Sequence, residues 1–169
     1  VSPRDDLPAS DALSIIKNGP DNFKGRKVGV LVSDGADAAM LKALSSALKA
    51  EGALMEIVAP KVSGFETSDG TLIPAHHMID GGPSVLFDAV AILVSEEGAE
   101  RLTGEATARD FVADAFAHCK YIAYVPAAAP LFEKAGVPLD VPDDGLIELT
   151  KADDAQSFVT ACSNLRVWA

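Results

Sequence analysis

Two adjacent histidines and a nearby aspartate come closest to a metal-binding set in this sequence. His76, His77 and Asp80 lie close together in the stretch AHHMIDGGPS. Imidazole and carboxylate groups are common ligands of zinc and iron. The spacing is irregular, however, and Gly81-Gly82-Pro83 predicts a loop, whereas metal sites favour ligands that regular elements hold in place. We therefore expect ordinary polar contacts within a loop, with a metal site as the weaker alternative.

The segment Ser33-Asp34-Gly35-Ala36-Asp37 lies between a buried apolar strand and a helix, which is the usual place of a ligand site in an open α/β sheet. A dinucleotide site would need the spacing G-x-G-x-x-G, and the two aspartates would repel a phosphate. We interpret the segment as a tight turn in which Asp37 caps the following helix. No nucleotide is expected here.

Carboxylates also follow the next core strand, where Ser95 precedes Glu96 and Glu97. A carboxylate pair can catalyse proton transfer or hold a metal ion. Side chains of adjacent residues diverge, so we expect Glu96 and Glu97 to lie in a solvated loop.

The turn after the strand YIAYV is where an α/β hydrolase or an amidotransferase places its nucleophile. This chain has Pro126 there, followed by three alanines. Cys119 precedes the strand and Cys162 belongs to the predicted last helix, so neither occupies the turn. Because free cysteines are among the most buried residue types, we expect both to be inert core thiols. Nucleophilic catalysis at this turn is not expected.

These turns are positioned by alternating strand and helix patterns. Apolar, β-branched runs predict buried parallel strands at 27–33, 54–59, 89–95, 121–125 and 145–150. Apolar residues at helical spacing predict helices at 37–51, 107–118, 126–136 and from Asp153 or Asp154 to about Leu165. The stretch 62–86 predicts a β-hairpin insertion around Asp69-Gly70. We expect an α/β fold, a three-layer sandwich with a flavodoxin-like, mostly parallel sheet and helices on both faces.

Composition limits the domain organisation and the partners. A chain of 169 residues with 49% apolar and 23% charged residues is typical of one globular domain. We assign 1–25 to a linker with a short apolar docking point, ALSII, and 26–169 to the domain. Fourteen basic against 25 acidic residues give a net charge of -11, which argues against nucleic acid as a partner. No apolar run approaches the roughly 18 residues of a membrane span, so no membrane partner is expected.

Together these residues resemble the class I glutamine-amidotransferase-like superfamily, in the branch of the DJ-1, PfpI and heat-shock-protein-31 proteins. The motifs that carry the similarity are RKVGVLVSDGAD, SDGTLIPAHHMIDGGPS, FDAVAILVS and KYIAYVPAAAPLFEKAGV. Over nearly its whole length, including LPASDALSII and the ending LRVWA, the chain is similar to the C-terminal domain of large-subunit haem catalases. The resemblance implies a tetrameric parent enzyme that decomposes hydrogen peroxide.

Enzymatic members of the superfamily carry a nucleophile turn of the form I-C-H-G-P and an acidic residue on the first helix. Counting back from the shared Ala135-Gly136-Val137 places Pro126 at the cysteine and Ala127 at the histidine. Counting from Gly35 places Met40 at the acidic residue. The resemblance therefore does not carry over protease, deglycase or amidotransferase activity.

The haem reaction of the parent is not expected within this chain either. The haem ligand of that family is a tyrosine four residues after an arginine, whereas here Tyr121 follows Ala117 at that spacing and Tyr124 follows Lys120. We expect no cofactor in this chain and place the haem in the remainder of the parent.

The resemblance favours two compatible functions. One is a non-catalytic domain that stabilises the catalase through contacts with the haem core and with other subunits of a homotetramer. The other is an ATP-independent molecular chaperone that binds unfolded client proteins. Apolar candidates for such a surface are Val85, Leu86, Phe87, Leu131 and Phe132. The alternative is a small-molecule or metal-binding enzyme of the DJ-1/PfpI type, which depends on the histidine loop and the strand-end carboxylates.

Overall fold

The structure, a computed structural model, describes Arg4 and residues 6–167. Parts of the predicted linker (1–3 and 5) and the last two residues of the ending LRVWA therefore lie outside the described residues. The strands in chain order are β1 (Lys27–Val32), β2 (Leu54–Ala59), β3 (Phe65–Glu66), β4 (Leu72–Ile73), β5 (His77–Met78), β6 (Ala89–Leu93), β7 (Ile122–Tyr124) and β8 (Leu146–Glu148). The helices are α1 (Ile15–Asn18), α2 (Ala38–Glu51), α3 (Glu96–Thr103), α4 (Ala106–Ala117), α5 (Ala129–Ala135) and α6 (Ala152–Cys162).

A parallel sheet forms the middle layer of the molecule, with the strand order β5-β2-β1-β6-β7-β8. Alternate residues of β1 enter two separate apolar clusters: Val30 packs with α2 and α6 on one face, and Leu31 packs with α3, α4 and α5 on the other. This explains the nearly continuous apolar runs, because a parallel strand covered on both faces has no solvent side. The predicted three-layer α/β sandwich with a flavodoxin-like sheet is confirmed.

Gly29 in the middle of β1 allows an aromatic ring to lie directly on the sheet. A Cβ atom at this position would stand 2.2 Å from the Phe87 ring. Phe87 is buried and also contacts the Phe111 ring of α4, with ring centroids 6.2 Å apart. The glycine is therefore required by close packing in the apolar layer beneath α4.

The predicted hairpin is present as the antiparallel pair β3–β4, in which Phe65 faces Ile73. Its turn is held by Asp69, whose Oδ1 accepts hydrogen bonds from the Thr71 N–H (3.0 Å) and the Thr67 hydroxyl (2.7 Å). The hairpin also fixes the loop after β1, since the Glu66 N–H donates to Asp34 Oδ1 at 2.9 Å. The insertion is therefore tied to the carboxyl end of the sheet.

Three local predictions need correction. Glu96 and Glu97 are not in a loop: they form the first turn of α3, which Ser95 caps by accepting the Gly98 N–H. His77 belongs to the edge strand β5, which pairs with β2, rather than to a loop. Phe23, within the predicted linker, is fully buried in the core, so the packed domain includes residues before 26.

Among the described residues, no helix combines the length and the apolar character needed to cross a bilayer.

Candidate functional site

The carboxyl ends of β1, β6, β7 and β8 open into one groove, which is where open α/β sheets place their ligands. Its volume is about 420 Å³. The groove is lined by Gly35, Asp37, Met40, Leu93, Val94, Ser95, Glu96, Val125, Pro126, Ala127, Leu149 and Thr150. The structure thus brings Met40 close to Pro126 and Ala127, which follow it by more than 80 positions, and we call this side of the groove its wall. These are the three residues that the resemblance predicts at the catalytic positions of the enzymatic members.

The local geometry at this wall follows from Pro126. The proline starts a short 3₁₀ turn (Pro126–Ala128) that leads directly into α5, as its fixed φ favours the first position of a helix. Pro126 has no N–H, and the side chains of Pro126 and Ala127 carry no group that can attack a carbonyl or transfer a proton. Met40 is almost fully buried, and its side chain ends in a thioether, which cannot act as an acid or a base. The wall can contact a ligand but has no reactive group.

The hydroxyl groups near the groove are engaged in holding the backbone. Ser95 Oγ donates to the Asp34 carbonyl (2.6 Å), and the Ser95 N–H donates to Ser33 Oγ (3.0 Å). The Thr150 hydroxyl donates to Asp154 Oδ2 at 2.9 Å. The groove is lined by the carboxylates of Asp37 and Glu96 but by no histidine, lysine or cysteine. The hydrogen bonds of Ser33 and Ser95 join the ends of β1 and β6, and we call this pair the serine clasp.

Gly98 makes this clasp possible. A Cβ atom at position 98 would lie 1.9 Å from Ser33 Oγ and 2.3 Å from Ser33 Cβ. Only a glycine lets the first turn of α3 approach the end of β1 this closely. The clasp, and with it the shape of the groove, therefore depends on a residue outside the groove itself.

The structure separates the three candidate metal ligands. His76 Nδ1 accepts the Ile57 N–H (3.0 Å), His77 Nε2 lies 2.8 Å from Glu56 Oε2, and Asp80 accepts the Thr107 hydroxyl (2.9 Å). Within the part of the chain that the structure describes, no group of three His, Cys, Asp or Glu side chains could hold a metal ion. These side chains instead attach the 76–80 segment to β2 and α4.

Glu56 is the centre of a charged cluster that sequence reasoning missed. One carboxylate oxygen lies 2.6 Å from Lys27 Nζ and the other 2.8 Å from His77 Nε2. A hydrogen bond from Lys27, and to a smaller extent one from His77, holds the pKa of the Glu56 carboxyl below its ordinary value. Lys27 and His77 lie on β1 and β5, the two strands that flank β2, so the strand order was needed to identify them as the partners of Glu56.

Lys120 is a second residue that the sequence did not indicate. Its ammonium is buried and donates to the carbonyls of Ser84 (2.6 Å) and Phe87 (2.7 Å). Burial, assisted by the nearby charge of Arg166, lowers the pKa of Lys120 to about 8. Lys120 fastens both ends of the turn that carries Val85 and Leu86.

The predicted apolar surface is smaller in the structure than the sequence suggested. Val85 and Leu86 are exposed, with 68% and 48% of their surfaces accessible. Phe87, Leu131 and Phe132 are buried in the cluster beneath α4 and α5, so they cannot meet a partner. The burial has a simple cause, because all three face the sheet rather than solvent.

The two cysteines differ in their surroundings. Cys162 is buried on α6, and burial raises the pKa of its thiol. Cys119 is exposed, which corrects the expectation that both are core thiols. It adopts a φ of 53° at the end of α4, where the chain turns sharply into β7, and this left-handed position faces solvent.

The fold is shared with solved structures of the DJ-1 group. The structure of Drosophila melanogaster DJ-1beta superposes with a TM-score of 0.68 over 80% of this chain and 87% of the other, at 16% identity. Oxidised Toxoplasma gondii DJ-1 gives a TM-score of 0.66 over the same shares, at 19% identity. At such identities the likeness establishes the fold alone.

Curated relatives are catalases. Catalase C of Rhizobium meliloti is 57% identical over 168 residues, which is 99% of this chain and 24% of that protein. Catalase HPII of Pseudomonas putida is 29% identical over 96% of this chain and 22% of its own length. The chain therefore spans about a quarter of the length of these relatives.

The match to a described family covers nearly the entire folded part. It extends over residues 24–169, and the family is described as the C-terminal domain found in long catalases. Its boundary agrees with the structure, in which the packed core begins at Phe23. The chain belongs to this family of C-terminal domains of long catalases.

Proposed function

We propose that this chain is a non-catalytic accessory domain of a long haem catalase and that it stabilises the parent enzyme. The observation that supports the proposal is the lining of the groove, in which the side chains of Met40, Pro126 and Ala127 offer no nucleophile, acid or base. Membership in the family implies that this chain is part of a longer catalase, the parent enzyme. The parent enzyme would be a homotetramer that decomposes hydrogen peroxide.

The two tyrosines of this chain do not fit as haem ligands. A haem ligand must reach an open pocket, but Tyr121 and Tyr124 are buried in or beside β7. Tyr124 packs on Phe132 with ring centroids 5.0 Å apart, and its hydroxyl lies 3.5 Å from Glu148 Oε2. Peroxide chemistry would therefore belong to the remaining three quarters of the parent.

Deletion of the domain from the parent tests this function. We expect the enzyme that lacks 23–169 to keep its initial rate of peroxide decomposition within about twofold and to lose activity several-fold faster on heating, because apolar contacts with the domain are lost. The isolated chain added back in trans is the control for an effect of truncation alone. Equal rates of thermal inactivation in the full-length and shortened enzymes would contradict the proposal.

A second candidate function, ATP-independent chaperone action, is favoured by the exposed pair Val85 and Leu86. Lys120 holds the carbonyls on either side of this pair, so the pair is presented on a rigid turn. A rigid apolar site loses little conformational entropy on binding. The net charge of -11 would keep complexes with unfolded clients dispersed.

Light scattering from a heat-labile enzyme tests the chaperone function. The wild-type chain in molar excess is expected to lower the scattering, and the double variant Val85→Ser, Leu86→Ser is expected to lose most of this effect. Leu72→Ser is the matched control, because Leu72 is equally exposed (70%) but lies on the hairpin. Scattering that the wild-type chain leaves unchanged would show that client binding is absent.

A further inference from the structure

A second cavity opens at the carboxyl end of the sheet, next to the serine clasp. Its volume is about 160 Å³, and its lining comes from the end of β1, from the chain between β2 and β3, and from α3 with the residues just after it. From β1 the chain runs outward to β2 and then crosses back to β6 on the other side of β1. The cavity therefore lies at the switch point of the strand order, where open α/β sheets bind ligands. We call it the charged cavity.

The lining of the charged cavity is held in place by the fold. Phe65 and Leu102, which contribute its apolar part, each expose only 1% of their surfaces. Two hydrogen bonds tie the hairpin to the loop after β1, from the Glu66 N–H to Asp34 Oδ1 (2.9 Å) and from the Gly35 N–H to the Glu66 carbonyl (2.7 Å). A ligand would therefore meet a preformed site and would not have to order it.

Charged side chains of both signs line the cavity: the basic Lys61 and Arg101, and the acidic Asp34, Glu97 and Glu105. Glu97 precedes Arg101 by four positions on α3, a spacing at which opposite charges commonly pair. Within the described part of the chain, however, neither Arg101 nor Lys61 takes part in an ion pair. Both basic groups are therefore available to a ligand.

Two other cavities lack this combination of charges. One, of about 390 Å³, lies between α1 and the end of α6 and is lined by residues 15–17, 19–21 and 163–165. Its basic side chain, Lys17, already pairs with Asp11 at 2.5 Å. The groove beside Pro126 has carboxylates but no basic side chain. The charged cavity differs from both because it offers unpaired basic groups together with acidic ones.

We propose that the charged cavity binds a small zwitterion of the α-amino acid class, with its carboxylate toward Lys61 and Arg101 and its ammonium toward the acidic side chains. An anion without an ammonium group would be repelled by three carboxylates, and a cation without a carboxylate by two basic groups. A zwitterion is attracted by both sets. The volume corresponds to about five water molecules of the liquid, which accommodates the smallest amino acids but not an aromatic one. The proposal concerns this chain alone and does not depend on its function in a catalase.

Calorimetric titration of the chain with L-alanine tests the site. We expect saturable binding at one site per chain. Acetate and ethylammonium, which each carry one of the two charges, should bind at least about tenfold more weakly, because each lacks one set of charge-assisted hydrogen bonds. L-Tryptophan should not bind, because its side chain exceeds the volume of the cavity.

Substitutions locate the binding. Arg101→Gln and Glu97→Gln should each weaken the binding of L-alanine about tenfold, since each removes one charged partner. Neither side chain forms an ion pair within the described residues, so we expect both variants to fold. Lys49→Gln on α2 and Glu100→Gln on α3 are the matched controls, because they remove the same charges from exposed positions outside the lining and should leave the affinity unchanged.

Three results would overturn the proposal. The first is the absence of saturable binding of L-alanine to the wild-type chain. The second is binding that Arg101→Gln and Glu97→Gln leave unchanged, since the amino acid would then lie elsewhere. The third is acetate binding as tight as that of L-alanine, which would establish an anion site in place of a zwitterion site.

Discussion

Lys120 shows how a single side chain can connect the core to the surface. Its ammonium lies beneath the turn 84–87 and donates to the carbonyls of Ser84 and Phe87, while Val85 and Leu86 between them face solvent. A buried charge is costly, and the two carbonyl oxygens compensate only part of the lost hydration. The lowered pKa of Lys120, about 8, reports this cost.

The cost of burying Lys120 predicts a pH dependence of stability. Between pH 8 and 10.5, the unfolded chain keeps the Lys120 proton while the folded chain releases it, so the free energy of unfolding should rise with pH across this window. Below pH 8 both states are charged and this contribution is constant. Relative to Lys120→Met, the wild-type chain should gain about 2 kcal/mol from the bottom to the top of the window. Urea titrations of both proteins at the two limits measure the difference, and parallel pH profiles would contradict the buried ammonium.

The two cysteines give a second prediction at this scale. A disulfide reagent should label Cys119 rapidly in the folded chain and Cys162 only after unfolding, because Cys119 is exposed and the buried Cys162 has a raised pKa. Counting released thiols with and without urea measures both, and Cys119→Ser should remove the rapid phase. Labelling of Cys162 in the folded Cys119→Ser variant would contradict its burial.

Residue types predicted some side-chain environments and failed for others. The cap at Asp37 was predicted because an aspartate before an apolar periodic run has a local function. The exposure of Cys119 was not predicted, because it depends on a sharp turn between α4 and β7. Nothing local to Lys120 indicates burial either, since its partners lie more than 30 positions earlier in the chain.

The contact between α3 and the end of β1 shows how one element fixes another. Gly98 lets α3 approach so closely that the serine clasp can form. Gly98→Ala should therefore destabilise the chain by about 2 kcal/mol, as an added methyl group in a packed site forces the backbone apart. The matched control is Gly81→Ala, because nothing lies within 4 Å of a Cβ at position 81. Chemical denaturation of both variants measures the difference in their free energies of unfolding. Equal values would show that α3 and the end of β1 can move apart without loss of stability.

Among the elements, sequence reasoning identified those with long apolar patterns. The runs that became β1 and β6 are buried on both faces along almost their whole length, so few alternatives existed. The helix α3 was missed because only Ala99 and Leu102 of its eight residues are buried apolar positions, although Ser95 before two glutamates is a helix-start pattern. The strand β5 has two residues, too few for any periodicity, and exists only because β2 offers it an edge.

For the whole molecule, two apolar clusters share one sheet, so they should unfold together. We expect a single thermal transition that a chelator does not shift, because His76, His77 and Asp80 are bound to separate protein groups rather than to a common ion. Calorimetry with and without chelator measures this. A drop of several degrees on chelation, absent in the double variant His76→Ala, His77→Ala, would establish the metal site instead.

The cavity between α1 and the end of α6 has a consequence for how this fold can be joined to other proteins. Residues 15–21 and 163–165 line the same cavity, so the polypeptide enters and leaves the fold at one edge. Ends that lie this close permit circular permutation and insertion into another chain. We therefore expect a circularly permuted chain to form the same sheet. In this variant a short linker joins the two original ends, and the new ends lie at the exposed Val141. A domain whose entry and exit lie at one edge can be inserted into a host chain without any change in the path of its own strands.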